Sequence, residues 1–201
     1  MRINAGELKG RRLLSPRNDR IRPTNDKVKE AMFSMLLPWM EGDFTVVDLF
    51  TGSGNLGIEA ISRGAKRVFF SDSSRESLSL ARENISLCGV EDRAILLNGD
   101  FKSNIKRINE PVDIYLLDPP YADGCILPAL QAIEEKGNLR PGGVIVCEHS
   151  HKDRLPEEVG SFVAIKDRKY GAIGVTIYQQ KAYAASAVEN DTAKSREESD
   201  V

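Results

Sequence analysis

The segment TVVDLFTGSGNLGIEA, residues 45–60, constrains the fold more than any other part of the chain. A β-branched run ends in Asp48, passes through Gly52, Gly54 and Gly57, and opens into a helical pattern. A strand that turns over G-x-G-x-x-G into a helix belongs to a βαβ unit, so its sheet is parallel and covered by crossover helices. The glycines allow a tight turn and bring backbone N–H groups and a helix N-terminus against a ligand. By themselves they do not say which ligand, and a ligand-free turn has the same pattern.

The βαβ rhythm continues along the chain. Strand-like runs occur at about 45–50, 67–72, 94–99, 112–118 and 143–148, with helical stretches at about 55–63, 74–88 and 124–136. Near the C-terminus, FVAIKDRKY (162–170) and GVTIYQQK (174–181) are separated only by GAI. No crossover helix fits there, so these two runs are expected to pair antiparallel. The expected class is α/β, a seven-stranded, mostly parallel sheet with an antiparallel last strand, which resembles the Rossmann-like fold of methyltransferases that use S-adenosylmethionine (SAM).

Ahead of this core, MRINAGELKGRRLLSP reads as a β-hairpin turning between Gly6 and Gly10. RPTNDKVKEAMFSMLLPWM then reads as a helix that follows Pro23, is capped by Thr24 or Asn25, and stops near Pro38. Its apolar positions are Val28, Ala31, Met32, Met35 and Leu36. The expected organisation is a basic hairpin and helix over 1–40, a catalytic domain over 41–181, and a disordered acidic tail over 182–201.

Charge divides the same way. Residues 1–30 hold nine basic side chains (Arg2, Lys9, Arg11, Arg12, Arg17, Arg20, Arg22, Lys27, Lys29) against four acidic ones (Glu7, Asp19, Asp26, Glu30). That segment is +5, and since the chain is −2 the remainder is −7. A basic arm on an acidic body suits an edge that meets phosphates, although a solvated hairpin has the same composition. No apolar run approaches the roughly 20 residues that cross a bilayer, and no secretory leader is visible, so a cytoplasmic protein without membrane contact is expected. Cys88, Cys125 and Cys147 are too widely spaced for a zinc knuckle, and His149 and His151 are the only histidines. Free thiols and no metal are expected.

Acidic residues at successive strand ends narrow the choice of ligand. Asp72, twenty residues beyond Gly52, can accept hydrogen bonds from the ribose hydroxyls of an adenosine in either a nicotinamide or a SAM enzyme. Asp100, followed by Phe101, offers a carboxylate and an aromatic edge to an adenine. Asp48 helps to decide between the two, because its carboxylate would repel a pyrophosphate but welcome the α-amino group and sulfonium of SAM. The fourth strand ends in LLDPPYADG, placing Asp118, Pro119, Pro120 and Tyr121 at the carboxyl edge of the sheet. The exocyclic amine of a nucleobase is a poor nucleophile because its lone pair is delocalised into the ring. If the Asp118 carboxylate and the Pro119 carbonyl accept its two hydrogens, the nitrogen becomes pyramidal and its lone pair is aimed at a methyl carbon. Tyr121 is placed to stack on the base, a contact worth about 1–3 kcal/mol. The base must be flipped out or looped out to enter. Read alone, D-P-P-Y is also an ordinary turn after a buried strand.

With these residues in view, the chain resembles the RsmD family, bacterial enzymes that methylate N2 of a guanine in 16S ribosomal RNA. The resemblance runs over about residues 1–181 and is carried by RINAGELKGRRL, RPTNDKVKEAMFSML, DLFTGSGNLGIEA, Asp72, DPPY and the late RKYG at 168–171. It implies that Gly52, Gly54, Gly57, Asp72 and Asp100 line a SAM pocket and that Asp118 to Tyr121 receive the guanine amine. It also implies an RNA-docking edge at Lys9, Arg11 and Arg12. Arg22 to Lys29 then form a lid near the cofactor, with Arg22 and Lys29 counted as RNA contacts; the plainer reading of that stretch is the start of an amphipathic helix. Assembled small (30S) subunits are the implied substrate. DPPY is shared with adenine-N6 and cytosine-N4 DNA methyltransferases, which ordinarily need a target-recognition domain that this length does not accommodate. A non-catalytic RNA-binding assembly factor that kept the SAM pocket is the third reading. The acidic tail is the one departure from the family pattern.

Overall fold

The computed structural model describes residues 1–15, 26–120 and 124–184. A single eight-stranded sheet forms its centre: β1 Thr45–Asp48, β2 Arg67–Asp72, β3 Ala94–Asn98, β4 Val112–Leu117, β5 Leu139–Ser150, β6 Glu158–Val159, β7 Phe162–Tyr170 and β8 Ile173–Gln180. Their order is β3-β2-β1-β4-β5-β8-β7-β6, parallel from β3 through β5. β8 inserts antiparallel between β5 and β7; its pairing with β7 is what the short connection through Gly171 and Ala172 requires. The count is one more than the seven expected, because β6 adds a two-residue edge strand on β7.

Among the described residues, α1 Asp26–Leu36 precedes the sheet, and α2 Asn55–Ser62, α3 Arg75–Cys88, α4 Phe101–Arg107 and α5 Ile126–Lys136 occupy connections between the parallel strands. Strand side chains alternate between two apolar layers. Val46, Ile114 and Leu116 face a core built with Val28, Met32 and Phe33 of α1, Ile58 and Ile61 of α2, and Ile85 of α3. Val47, Tyr115 and Leu117 face the opposite core with Ile105 of α4 and Leu130 and Ile133 of α5. Among the described residues, no helix is long and apolar enough to cross a membrane.

The N-terminal hairpin pairs as expected, through the Arg2–Arg12 bridge and the Ile3 N–H to Arg11 O and Gly10 N–H to Ile3 O bonds. Its turn lies against the C-terminal end of α2, where the Glu7 N–H donates to Ser62 O. Gly6 is required there: a Cβ on it would sit 1.7 Å from Ser62 O. Helix α1 gives way to a 3-10 turn over Leu37–Trp39, at the proline that cannot continue the hydrogen-bond ladder. The expected caps Thr24 and Asn25 lie outside the described residues. Beyond β8 the chain makes a helical turn over 181–184, so order extends three residues past the expected domain limit. The rest of the expected acidic tail, from residue 185, lies outside the described residues.

Candidate active site

β1 has a neighbour on each side, β2 and β4, and the chain moves outward from it in both directions. The carboxyl ends of β1 and β4 therefore flank a topological switch point, where open α/β sheets bind ligands. The glycine turn follows β1, and Asp118 to Pro120 follow β4. Asp48 pairs with Leu116 in the parallel register, so Asp118 stands two residues further on at the same edge.

Asp48 is buried, and its Oδ2 accepts from the Gly57 N–H at 2.9 Å, tying the strand end to helix α2. Burial pushes its carboxyl up to about 7; the Gly57 N–H and the nearby Thr51 hydroxyl oppose this, and the charges of Asp118 and Asp72 add to it. Its Oδ1 is buried and accepts no hydrogen bond among the described residues. An incoming ammonium group would satisfy that oxygen and restore the charge on the carboxylate.

Asp72 shapes the other side of the turn. Its Oδ2 accepts from the Gly52 N–H at 2.9 Å and its Oδ1 from the Ser74 N–H at 2.8 Å. Each oxygen retains a lone pair, which is what two ribose hydroxyls would use. Gly54, at φ 81°, caps α2 in the left-handed region that disfavours other residues. Gly57 serves packing instead, since a Cβ there would meet the Phe70 ring at 2.3 Å.

Asp100 is exposed and caps α4, accepting from the Ser103 N–H at 3.0 Å and the Ser103 hydroxyl at 2.6 Å. The Ser103 hydroxyl and N–H hold its carboxyl below the ordinary aspartate range. Phe101 packs on Phe50 at 5.6 Å between ring centroids, joining the ends of β1 and β3 in an aromatic wall. Phe50 was not among the expected residues, although it stands inside the DLFTGSG segment. The carboxylates, the turn and this wall fit an adenosyl amino acid.

At the end of β4, Asp118 is half-buried, Pro119 buried and Pro120 exposed. Tyr121 and Arg22 lie outside the described residues. Lys9, Arg11 and Arg12 are exposed on the hairpin, and Arg11 Nη1 donates to Leu87 O at 2.8 Å.

The expectation for Lys29 is corrected. Its side chain is wholly buried, and its ammonium donates to Glu59 Oε2 (2.9 Å), Asn55 Oδ1 (2.9 Å) and Arg2 O (2.7 Å). All three N–H groups are spent inside the protein, leaving none for an RNA phosphate. Burial pulls the ammonium below the usual lysine range despite the pull of Glu59 in the other direction. Burial pushes the Glu59 carboxyl up, but the Asn4 N–H, Lys29 and Arg63 outweigh it and hold it below the ordinary range. Asn84, also missed in the sequence, is fully buried on α3 and donates to Ser53 O in the glycine turn at 2.9 Å. A buried lysine or asparagine is recognised by its partners, and these lie 26–70 residues away in sequence.

Residues 1–179 match the family model described as "Conserved hypothetical protein 95". The chain is 36% identical over 185 residues to YlbH of Bacillus subtilis (strain 168), covering 90% of this chain and all of that protein. It is 30% identical over 182 residues to the "Ribosomal RNA small subunit methyltransferase D" of Haemophilus influenzae, covering 89% and 93% of the two chains. The solved structure of yhhF from Escherichia coli superposes with a TM-score of 0.79 at 26% identity, over 90% of this chain and 98% of that one.

Proposed function

The chain belongs to the RsmD family, and from that premise we propose that it is a SAM-dependent ribosomal RNA methyltransferase acting on the N2 amine of a guanine in 16S RNA. The observation that carries the proposal is the juxtaposition of two strand ends: Asp118-Pro119-Pro120 follows β4 directly beside the glycine turn that follows β1.

When bound, SAM supplies a sulfonium methyl as electrophile. The protein's own groups do the rest. Asp48 Oδ1 would take the α-ammonium and Asp72 the ribose hydroxyls, and the Gly52–Gly54 turn would let the backbone lie close. Asp100 and Phe101 bound the adenine. Asp118 and the Pro119 carbonyl accept the two amine hydrogens of the guanine and so make its nitrogen lone pair available. The buried Pro119 cannot rotate away, because the pyrrolidine ring fixes its φ and Pro120 restricts the residue before it. Formation of the N–C bond would break the methyl–sulfur bond and release S-adenosylhomocysteine as a neutral thioether; the nitrogen would then be cationic, and its proton would pass to Asp118 or water. Tyr121 is assigned the role of stacking on the base from its place in the D-P-P-Y sequence alone. Lys9, Arg11 and Arg12 meet phosphates at the edge of the RNA.

The small-subunit context rests on a relative named a ribosomal RNA small subunit methyltransferase, and the guanine-N2 assignment on the motifs shared with the RsmD family. Both are tested by incubating the protein with tritiated SAM and, separately, 30S subunits lacking the modification, naked 16S RNA and duplex DNA, and then digesting the labelled product to nucleosides, where N2-methylguanosine is expected. Label confined to ribosomal RNA, strongest on the subunits, is expected. Label entering adenine of DNA would overturn the substrate class.

A further inference from the structure

The correction at Lys29 exposes an arrangement that the methyl-transfer chemistry does not use. Two buried side chains each hold the N-terminal arm with one set of atoms and the cofactor turn with another. Lys29 donates to Arg2 O in the arm and to Asn55 Oδ1, on the residue that follows Gly54. Asn84 Nδ2 donates to Ser53 O in the turn and to Leu14 O in the arm, while its Oδ1 accepts from the Leu14 N–H at 2.7 Å. Between them Glu59, buried on α2, accepts from the Asn4 N–H (2.8 Å), the Ala5 N–H (3.1 Å), Lys29 and Arg63 Nε (2.8 Å). The arm thus touches the turn through shared buried donors at both of its ends.

We infer that Lys29 and Asn84 are positioning residues that join the N-terminal arm and the cofactor turn into one cooperative unit, so that occupancy of the turn orders the arm. Buried hydrogen-bonded groups cannot be left unpaired cheaply, so a ligand that holds Ser53 and Asn55 in place also holds the carboxamide and ammonium that bind Leu14 and Arg2. Ordering the turn then lowers the cost of ordering the arm, and by reciprocity an RNA that fixes the arm tightens the grip on the cofactor. The basic edge is in this way presented to substrate chiefly when the methyl donor is in place. The inference rests on the reading of the turn as a SAM site.

The test is amide hydrogen exchange over residues 1–14, with and without S-adenosylhomocysteine, in the wild-type protein and in Lys29→Met and Asn84→Asp. Lys29→Met leaves Glu59 paired with Arg63. Asn84→Asp keeps an acceptor for the Leu14 N–H and loses the donor to Ser53 O. Calorimetry first establishes that wild-type protein binds S-adenosylhomocysteine; no binding would overturn the cofactor reading itself, before exchange is measured. Given binding, saturating ligand should slow exchange of the Ile3, Leu13 and Leu14 amides by about fivefold or more in wild type. Variants that melt cooperatively and still bind should lose that protection. Arm exchange indifferent to ligand in the wild-type protein overturns the inference whether or not the variants fold, and so does full protection retained in both variants. A purely structural role for Lys29 and Asn84 would lower the melting temperature and leave the transmitted protection intact.

Discussion

At the scale of single residues, environment sets apart two carboxylates at the same sheet edge, Asp118 and Asp48. Asp118 stands half-buried where the substrate nitrogen is proposed to enter, so Asp118→Ala should lower methyl transfer by at least about 10²-fold, the cost of removing one preorganised partner. Its affinity for S-adenosylhomocysteine, measured by calorimetry, should stay within a few-fold of wild type. Asp48 makes a pH prediction. Its carboxyl is raised to about 7, so at pH 6 the folded, ligand-free protein holds it largely neutral and above pH 8 it is ionised. An ammonium ligand requires the ionised form, so affinity for S-adenosylhomocysteine should rise with pH through about 7 and level off above it, by at most about tenfold per pH unit. Asp48→Asn should bind weakly with that rise abolished; a wild-type affinity flat between pH 6 and 8 would contradict the assignment. These aspartates were legible in the sequence because each ends a recognisable strand. Lys29 was not: a lysine in a basic run reads as surface, and only tertiary placement reveals the Glu59 partner thirty positions along, in a helix of its own.

Secondary-structure elements were legible where their periodicity is long and punctuated by glycine or proline. The antiparallel β7–β8 pair followed from the length of one connection, and α1 ends near the proline that was expected to stop it. Two elements escaped. The seven-residue helix α4 has too few apolar positions to show a period, and its one signal, Asp100 capping onto Ser103, was read as a ligand contact alone. β6 is two residues long and exists only because β7 offers an edge. The third glycine of the turn gives a test at this scale. Gly57→Ala drives a methyl into the Phe70 ring, and the misfit should cost about 1–3 kcal/mol, seen as a melting temperature several degrees lower. Adding Phe70→Leu should recover part of the loss. The hairpin arm gives another: replacing exposed Lys9, Arg11 and Arg12 with glutamine should weaken binding to 30S subunits and reduce the slope of log K against log salt by about two to three. An unchanged slope would make the arm a solvated hairpin.

For the molecule as a whole, one sheet accounts for where everything sits. The order that grows outward from β1 brings the glycine turn and the DPP segment to one crevice, and the arm folds back over α2 beside it. Among the described residues, exposed Lys9, Arg11 and Arg12 put a basic patch on the hairpin of a chain that is acidic elsewhere, which suits contact with RNA phosphates on that side. The sequence carried the parallel core, the antiparallel last pair and the charge asymmetry of this plan, while the order of the strands in the sheet came from the structure. It could not show that arm and turn share buried partners, because such links join residues far apart in the chain. The central claim, methyl transfer to N2 of guanine in 16S RNA, is tested most directly by digesting 30S RNA to nucleosides after reaction with wild-type protein and with Asp118→Ala, and identifying the product by mass and retention. The account predicts N2-methylguanosine with wild-type protein and none with the variant. A different methylated nucleoside, or equal product from both proteins, would contradict it.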